Sequence, residues 1–193
     1  MEYILSDLHF CHKNILNFEP PRAHFQDVDQ MNDTIVEHWN TTVTNEDTVH
    51  FVGDFGIGSP AKVVEQINRL NGKILLYPGN HDTTKIIKKI ETDCPRVTIM
   101  PLMVKFKFSA MVAFISHYPV EIGVRPNLFS IHGHIHSNPS SMITQLNICA
   151  DNHAAWGTQF GEPIPFDRIK ERMFEIREQI ETTQKDKRRN QPS

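Results

Sequence analysis

Short apolar runs that each stop at Asp, Asn or His restrict the fold of this chain more than any other feature. Glu2–Ser6 stops at Asp7, Asp47–Gly53 at Asp54, and Lys73–Tyr77 at Gly79-Asn80-His81-Asp82. Met111–Ser116 stops at His117, and Leu128–His132 runs into Gly133-His134-Ile135-His136. Runs of this length and composition, bounded by Gly, Pro and Ser, read as strands. Between the first three lie helical patterns. Met31, Ile35, Val36 and Trp39 share one face over Asp29–Asn40. Val63, Val64, Ile67 and Leu70 do the same over Pro60–Leu70, with Ser59 placed to cap, Pro60 at the first helical position and Asn71-Gly72 as the stop.

A short helix over Thr84–Ile90 follows the third run. Three β-like runs come next, Val97–Met100, Leu102–Phe108 and Met111–Ser116, the last two joined as a hairpin through Lys107–Ala110. After Leu128–His132 come a strand over Gln145–Ala150 and an amphipathic helix over Phe166–Thr183. The first half therefore reads as βαβ units feeding a parallel sheet, and the second half as antiparallel. The fold expected is α/β: two mixed sheets packed face to face as a sandwich flanked by helices. Residues 1–184 form one domain in this reading, and 185–193 a polar tail. Asn17–Asp29 reads as a Pro-rich, charged loop.

At 193 residues the chain can bury a substantial core, and its net charge of −3 gives no broad footprint for nucleic acid. No apolar run is long enough to span a bilayer, and MEYILSDLHF lacks the basic and apolar regions of a secretory leader. The three cysteines are far apart with no CxxC, which disfavours a disulfide framework and suits a cytoplasmic protein. The unusual count is eleven histidines.

Five strand ends deliver Asp7 with His9, Asp54, Asn80 with His81, His117, and His134 with His136. Ligand crevices in α/β sheets lie beyond the carboxyl ends of strands. Asp7 and His9 are spaced i, i+2, as are His134 and His136. In extended chain each pair points to one side, about 7 Å apart at the backbone. Side chains converging from there can reach two cations. Carboxylate, amide and imidazole donors without a thiolate suit manganese, iron or zinc rather than a closed structural zinc site.

This ordered set resembles the calcineurin-like metallophosphoesterases, whose pattern is D-x-H, GD, GNH[DE], GH and GHxH. Here it reads Asp7-Leu8-His9, Gly53-Asp54, Gly79-Asn80-His81-Asp82, Ser116-His117 and Gly133-His134-Ile135-His136. Ser116 stands where Gly is frequent. GDFGIG lacks the Arg that the family's protein phosphatases carry, which points away from phosphoprotein substrates. SDLHFCHKNIL looks like small bacterial and phage members.

The resemblance implies that Asp7, His9, Asp54 and His136 hold one divalent ion, and that Asp54, Asn80, His117 and His134 hold the other. The ions would be manganese, with iron, zinc or nickel as substitutes. Asp54 bridges them, and His81 stands beside the leaving group. Two divalent cations outweigh the two carboxylates and a bridging hydroxide by one positive charge, where a phosphate must sit. The implied activity is phosphodiester hydrolysis by that hydroxide, on a small phosphoester such as a cyclic or other small nucleotide. Alternatives are a phosphomonoesterase or nuclease on the same site, or a non-catalytic scaffold.

His12 and Arg22, on loops beside the first motif, are further candidates for phosphate contact. His132 and His50 read as hydrogen-bonded interior residues, and His24, His38 and His153 as exposed. Asp82 either orients His81 or caps the helix after it, and capping is the favoured role. Asn147, Asp151 and Asn152, after the last strand, could support the ligands.

Overall fold

The computed structural model describes residues 1–189. In chain order the elements are β1 (Glu2–Leu5), α1 (Ile15–Phe18), α2 (Val28–Thr42), β2 (Thr48–Phe51), α3 (Pro60–Asn68), β3 (Lys73–Leu76), α4 (Thr84–Asp93) and β4 (Val97–Ile99). Then come β5 (Met103–Phe108), β6 (Met111–Ser116), β7 (Leu128–His132), β8 (Gln145–Asn147), α5 (His153–Trp156), β9 (Ile164–Pro165) and α6 (Phe166–Arg189).

Two sheets result, with strand orders β4-β3-β2-β1-β9 and β5-β6-β7-β8. In the first sheet β1 to β4 are parallel, and the two-residue β9 adds an antiparallel edge. The period of two along a strand divides the core. Tyr3, Leu5, Val49, Phe51, Ile74 and Leu76 face α2, α3 and α4, together with Trp39, Val63, Ile67, Ile86 and Ile90. Ile4 points the other way, into a second core with Ala113, Ile115, Phe129, Ile131 and Leu146 from the facing sheet. The α6 stripe Phe166, Ile169, Met173, Ile176 and Ile180 enters that same core, the recurrence of an amphipathic helix.

Local chemistry starts the helices. Asp27 accepts the Gln30 N–H at 2.8 Å to begin α2, and Thr83 accepts the Ile86 N–H to begin α4. Pro60 opens α3 from an extended Ser59, whose side chain makes no capping bond.

The second half departs from the antiparallel reading. Only β5 and β6 form an antiparallel hairpin, whereas β6–β7 and β7–β8 are parallel. Long irregular crossovers, 117–127 and 133–144, make those connections. A parallel return needs a connection of about a dozen residues, and these carry no helical period to announce it. The strand expected over Gln145–Ala150 ends at Asn147. Cys149 instead forms a bridge with Ser6, and the Ala150 N–H donates to the Ser6 carbonyl at 3.0 Å, tying β8 to the end of β1. The loop expected over Asn17–Asp29 contains a 3-10 turn, Pro20–Arg22. The last helix passes Thr183 and continues to Arg189. Residues 190–193 of the expected tail lie outside the described residues. Among the described residues no helix is long and apolar enough to cross a membrane.

Candidate metal centre

The segments that follow β1 and β2 run side by side. The Asp7 N–H donates to the Gly53 carbonyl at 3.0 Å, His9 N–H to the Asp54 carbonyl at 3.1 Å, and Phe10 N–H to the Phe55 carbonyl at 2.8 Å. Across from them, the Gly133 N–H donates to the His117 carbonyl at 3.0 Å, and the His134 N–H donates to the Asp7 carboxylate. The backbone thus delivers the strand ends to one place.

Their backbone is not extended. Asp7 has φ 59°, His9 53°, Asp54 61°, His134 71° and His136 52°. Non-glycine residues rarely adopt this left-handed region, and such outliers collect at functional sites. The i, i+2 pairs therefore converge through left-handed turns, not along a strand face as the spacing suggested. Close approach explains two glycines. A Cβ on Gly79 would lie 2.3 Å from Asp54 Oδ1, and one on Gly133 would lie 2.3 Å from Asp7 Oδ2. Neither side chain could be added without displacing a carboxylate.

Two groups of side chains meet around Asp54. On one side His9 Nε2 lies 3.7 Å from Asp7 Oδ1 and 3.6 Å from Asp54 Oδ2, and His136 Nε2 lies 4.0 Å from Asp7 Oδ1. On the other, His117 Nε2 lies 3.4 Å from Asp54 Oδ2 and 3.0 Å from Asn80 Oδ1, with His134 Nδ1 also 3.0 Å from Asn80 Oδ1. All seven expected ligands are brought together.

Several features of this cluster fit a cation. Both His9 ring nitrogens are buried with no hydrogen-bond partner among the described residues. Buried polar atoms in folded proteins are almost always paired. Burial, outweighing Asp7 and Asp54, also holds the His9 pKa below its ordinary value, so the ring keeps a free lone pair. His117 Nδ1 sits 2.9 Å from the Val52 carbonyl, which fixes the proton there. Its Nε2 therefore faces two acceptors, and only a proton or a cation can lie among those three atoms. Burial pushes the His117 ring down, but Asp54 and Asp7 outweigh it and lift its pKa to about 9. The two carboxylates thus favour positive charge beside His117.

His81 stands outside this set. Its side chain is 42% exposed, with Nε2 4.0 Å from Asp54 Oδ2, while its backbone N–H donates to Asp54 Oδ1 at 2.8 Å. His12 is half-buried, its ring 5.5 Å from that of His9, and its Nδ1 has no partner among the described residues. His132 is buried against the Gly133 carbonyl at 2.8 Å, and His50 against the Tyr77 hydroxyl at 2.9 Å. His24 is exposed, whereas His38 and His153 are half-buried against backbone carbonyls.

Arg22 and Asp82 correct the sequence reading. Arg22, expected to reach a phosphate from a charged loop, is 0% exposed. Its guanidinium faces Asp151 and the carbonyls of Asp7 and Leu8, because the 3-10 turn folds it inward. Asp82 neither orients His81 nor caps α4, since Thr83 is the cap. Its carboxylate accepts the N–H groups of Asp54 at 2.8 Å, Phe55 at 3.1 Å and Gly79 at 2.8 Å.

Two supports carried little signal. Asp151 Oδ2 lies 2.8 Å from His136 Nδ1. Burial raises the Asp151 pKa, but Arg22 and His136 outweigh this and keep it ionised. Its position after a strand, like the other carboxylates, was the available hint. The buried Cys149 thiol donates to Asp7 Oδ2 at 3.1 Å, and nothing in its sequence surroundings marks it.

Residues 3–179 match the calcineurin-like phosphoesterases, and the chain belongs to that family. It is 38% identical over 82 residues to an uncharacterised protein of Methanocaldococcus jannaschii, covering 42% of this chain and 46% of that protein. It is 30% identical over 83 residues to the gene 66 protein of Mycobacterium phage L5, covering 42% and 39%. The matches thus span less than half the length of either curated relative. A crystal structure of a protein of unknown function from Aquifex aeolicus superposes with a TM-score of 0.67 at 23% identity, covering 89% of this chain and 98% of that one. That likeness shows a shared fold of two mixed sheets with helices.

Proposed function

We propose that the chain is a divalent-metal-dependent phosphoesterase that hydrolyses phosphodiesters, with small nucleotides as the substrate class. Asp7, His9, Asp54 and His136 hold one ion in this reading, and Asp54, Asn80, His117 and His134 the other. Manganese suits the mixed oxygen and nitrogen donors. The observation that carries the reading is His9. Its buried Nε2 lies 3.6–3.7 Å from oxygens of Asp54 and Asp7, too far to hydrogen-bond and suited to flanking an ion.

Two such cations, when bound, supply Lewis acidity to the phosphoryl oxygens and acidify water toward neutral pH. The chain's own groups do the rest. The Val52 carbonyl holds the His117 tautomer, and Asp151 holds that of His136. In this reading His81, whose half-exposed ring lies 4.0 Å from Asp54 Oδ2, gives a proton to the departing alkoxide. His12, whose Nδ1 has no partner among the described residues, would contact a phosphoryl oxygen or the ester group.

The test is turnover of a chromogenic phosphodiester with Mn²⁺, before and after chelation. Metal-dependent hydrolysis that chelation abolishes supports the reading. A protein that binds Mn²⁺ and hydrolyses neither diesters nor monoesters is a scaffold, and the proposal fails.

A further inference from the structure

Arg22 packs in the core with Nη1 3.7 Å from Met31 Sδ and its guanidinium 5.0 Å from the centre of the Phe160 ring, but its hydrogen bonds to oxygen all run to one side of the candidate centre. Its Nε lies 2.6 Å from Asp151 Oδ1 and its Nη2 2.8 Å from Asp151 Oδ2, a fork-to-fork pair. The same guanidinium donates from Nη2 to the Asp7 carbonyl at 2.6 Å and from Nη1 to the Leu8 carbonyl at 2.8 Å. Those carbonyls belong to the turn in which Asp7 and His9 are left-handed. Asp151 in turn holds His136 Nδ1 at 2.8 Å, which directs Nε2 toward Asp7. One buried cation therefore reaches the backbone that carries Asp7 and His9 and the carboxylate that aims His136. The other half of the centre has its own support: His117 rests on the Val52 carbonyl, and Asn80 lies beside His117 and His134.

We infer that Arg22, acting through Asp151 and the Asp7–Leu8 carbonyls, is a positioning residue that sets the affinity of the Asp7–His9–His136 half of the centre and bears far less on the Asn80–His117–His134 half, which it reaches only at one remove, through the Asp7 carboxylate that accepts the His134 N–H. The inference rests on the metal-centre reading above. Its basis is geometric. A ligating imidazole needs its second nitrogen held by an acceptor, and loss of that partner typically weakens metal binding. Asp151 cannot perform this alone, because a buried carboxylate without its counter-charge is strongly disfavoured. Asp151 also cannot turn to an ion of its own. Glu19, His136 and Asp151 lie close enough to form a third ligand group. Both Asp151 oxygens, however, are taken by Arg22, and His136 spends Nδ1 on Oδ2.

Lysine carries the same charge without the fork, so Arg22→Lys separates geometry from charge. The measurement is Mn²⁺ titration by calorimetry, with electron paramagnetic resonance of the loaded protein and thermal melting of the metal-free protein. Wild type takes up two equivalents and gives an exchange-coupled spectrum. Arg22→Lys weakens one equivalent by roughly 10- to 100-fold, keeps the other within about threefold, and turns the spectrum at low Mn²⁺ to that of an isolated ion. The double variant Arg22→Met with Asp151→Asn removes both buried charges, which protects folding. It melts above Arg22→Met alone and still binds only one equivalent tightly. Arg22→Lys binding both equivalents as wild type does, or losing both in step with its melting temperature, overturns the inference. Wild type that takes up fewer than two equivalents overturns the two-ion reading itself, so the two failures are told apart.

Discussion

The Asp82 carboxylate accepts the backbone N–H of Asp54 at 2.8 Å, joining the turn after β3 to the turn that bears the central carboxylate. It also takes the N–H groups of Phe55 and Gly79, so one buried acceptor satisfies three donors. Asp82→Ala leaves those donors unpaired at about 1–3 kcal/mol each where they stay buried. The expected result is a loss of several kcal/mol in urea unfolding together with weakened Mn²⁺ binding. Asp82→Asn, which keeps one acceptor oxygen, falls between the two. Unchanged stability in Asp82→Ala would contradict this role.

Gly133→Ala tests the close approach of the last ligand turn. The added methyl would stand 2.3 Å from Asp7 Oδ2 and 2.6 Å from Ser6 Oγ. The Asp7 carboxylate must move, so the variant is expected to lose Mn²⁺ affinity at least tenfold with a far-ultraviolet spectrum like that of wild type. Normal metal uptake would show that the turn has room to spare.

His50 sets part of the acid sensitivity of the fold. It is buried in the second core against Tyr77 and Phe166. Burial holds its pKa below the ordinary value, only partly offset by Glu2. The unfolded chain, with a histidine pKa of about 6.5, takes up a proton that the folded ring resists. This contribution to stability is thus full above about pH 6.5 and declines as the pH falls. In urea titrations from pH 8 to pH 5, His50→Gln should show a shallower loss of stability than wild type. Parallel curves would remove His50 as a source of the slope.

Much of the cluster was legible because most of its residues stand just past a strand end beside a small residue, His9 between Leu8 and Phe10 being the exception. Asp7, Asp54, Asn80, His117 and His134 could be read without knowing the path between them. The left-handed turns at Asp7, His9 and His136 were not legible, since nothing in D-x-H or H-x-H separates an extended pair from a turned one. Arg22 was misread for a related reason. A charged residue after two prolines looks solvated until its partner is known, and Asp151 lies 129 residues away. The direction of β7 and β8 was hidden by crossovers without helical period, and the two-residue β9 by its length. Helices α2 and α3 came through because their apolar faces repeat over several turns.

The central claim is that seven side chains hold two ions while His81 serves the leaving group from outside that set. Metal content and turnover, measured together in Asp54→Asn and His81→Ala, test it most directly. The account predicts that Asp54→Asn loses metal and activity together. His81→Ala keeps two equivalents of Mn²⁺ while kcat on a phosphodiester falls by roughly 10²- to 10⁴-fold. A His81→Ala protein stripped of its metal, or one that turns over at the wild-type rate, would contradict it.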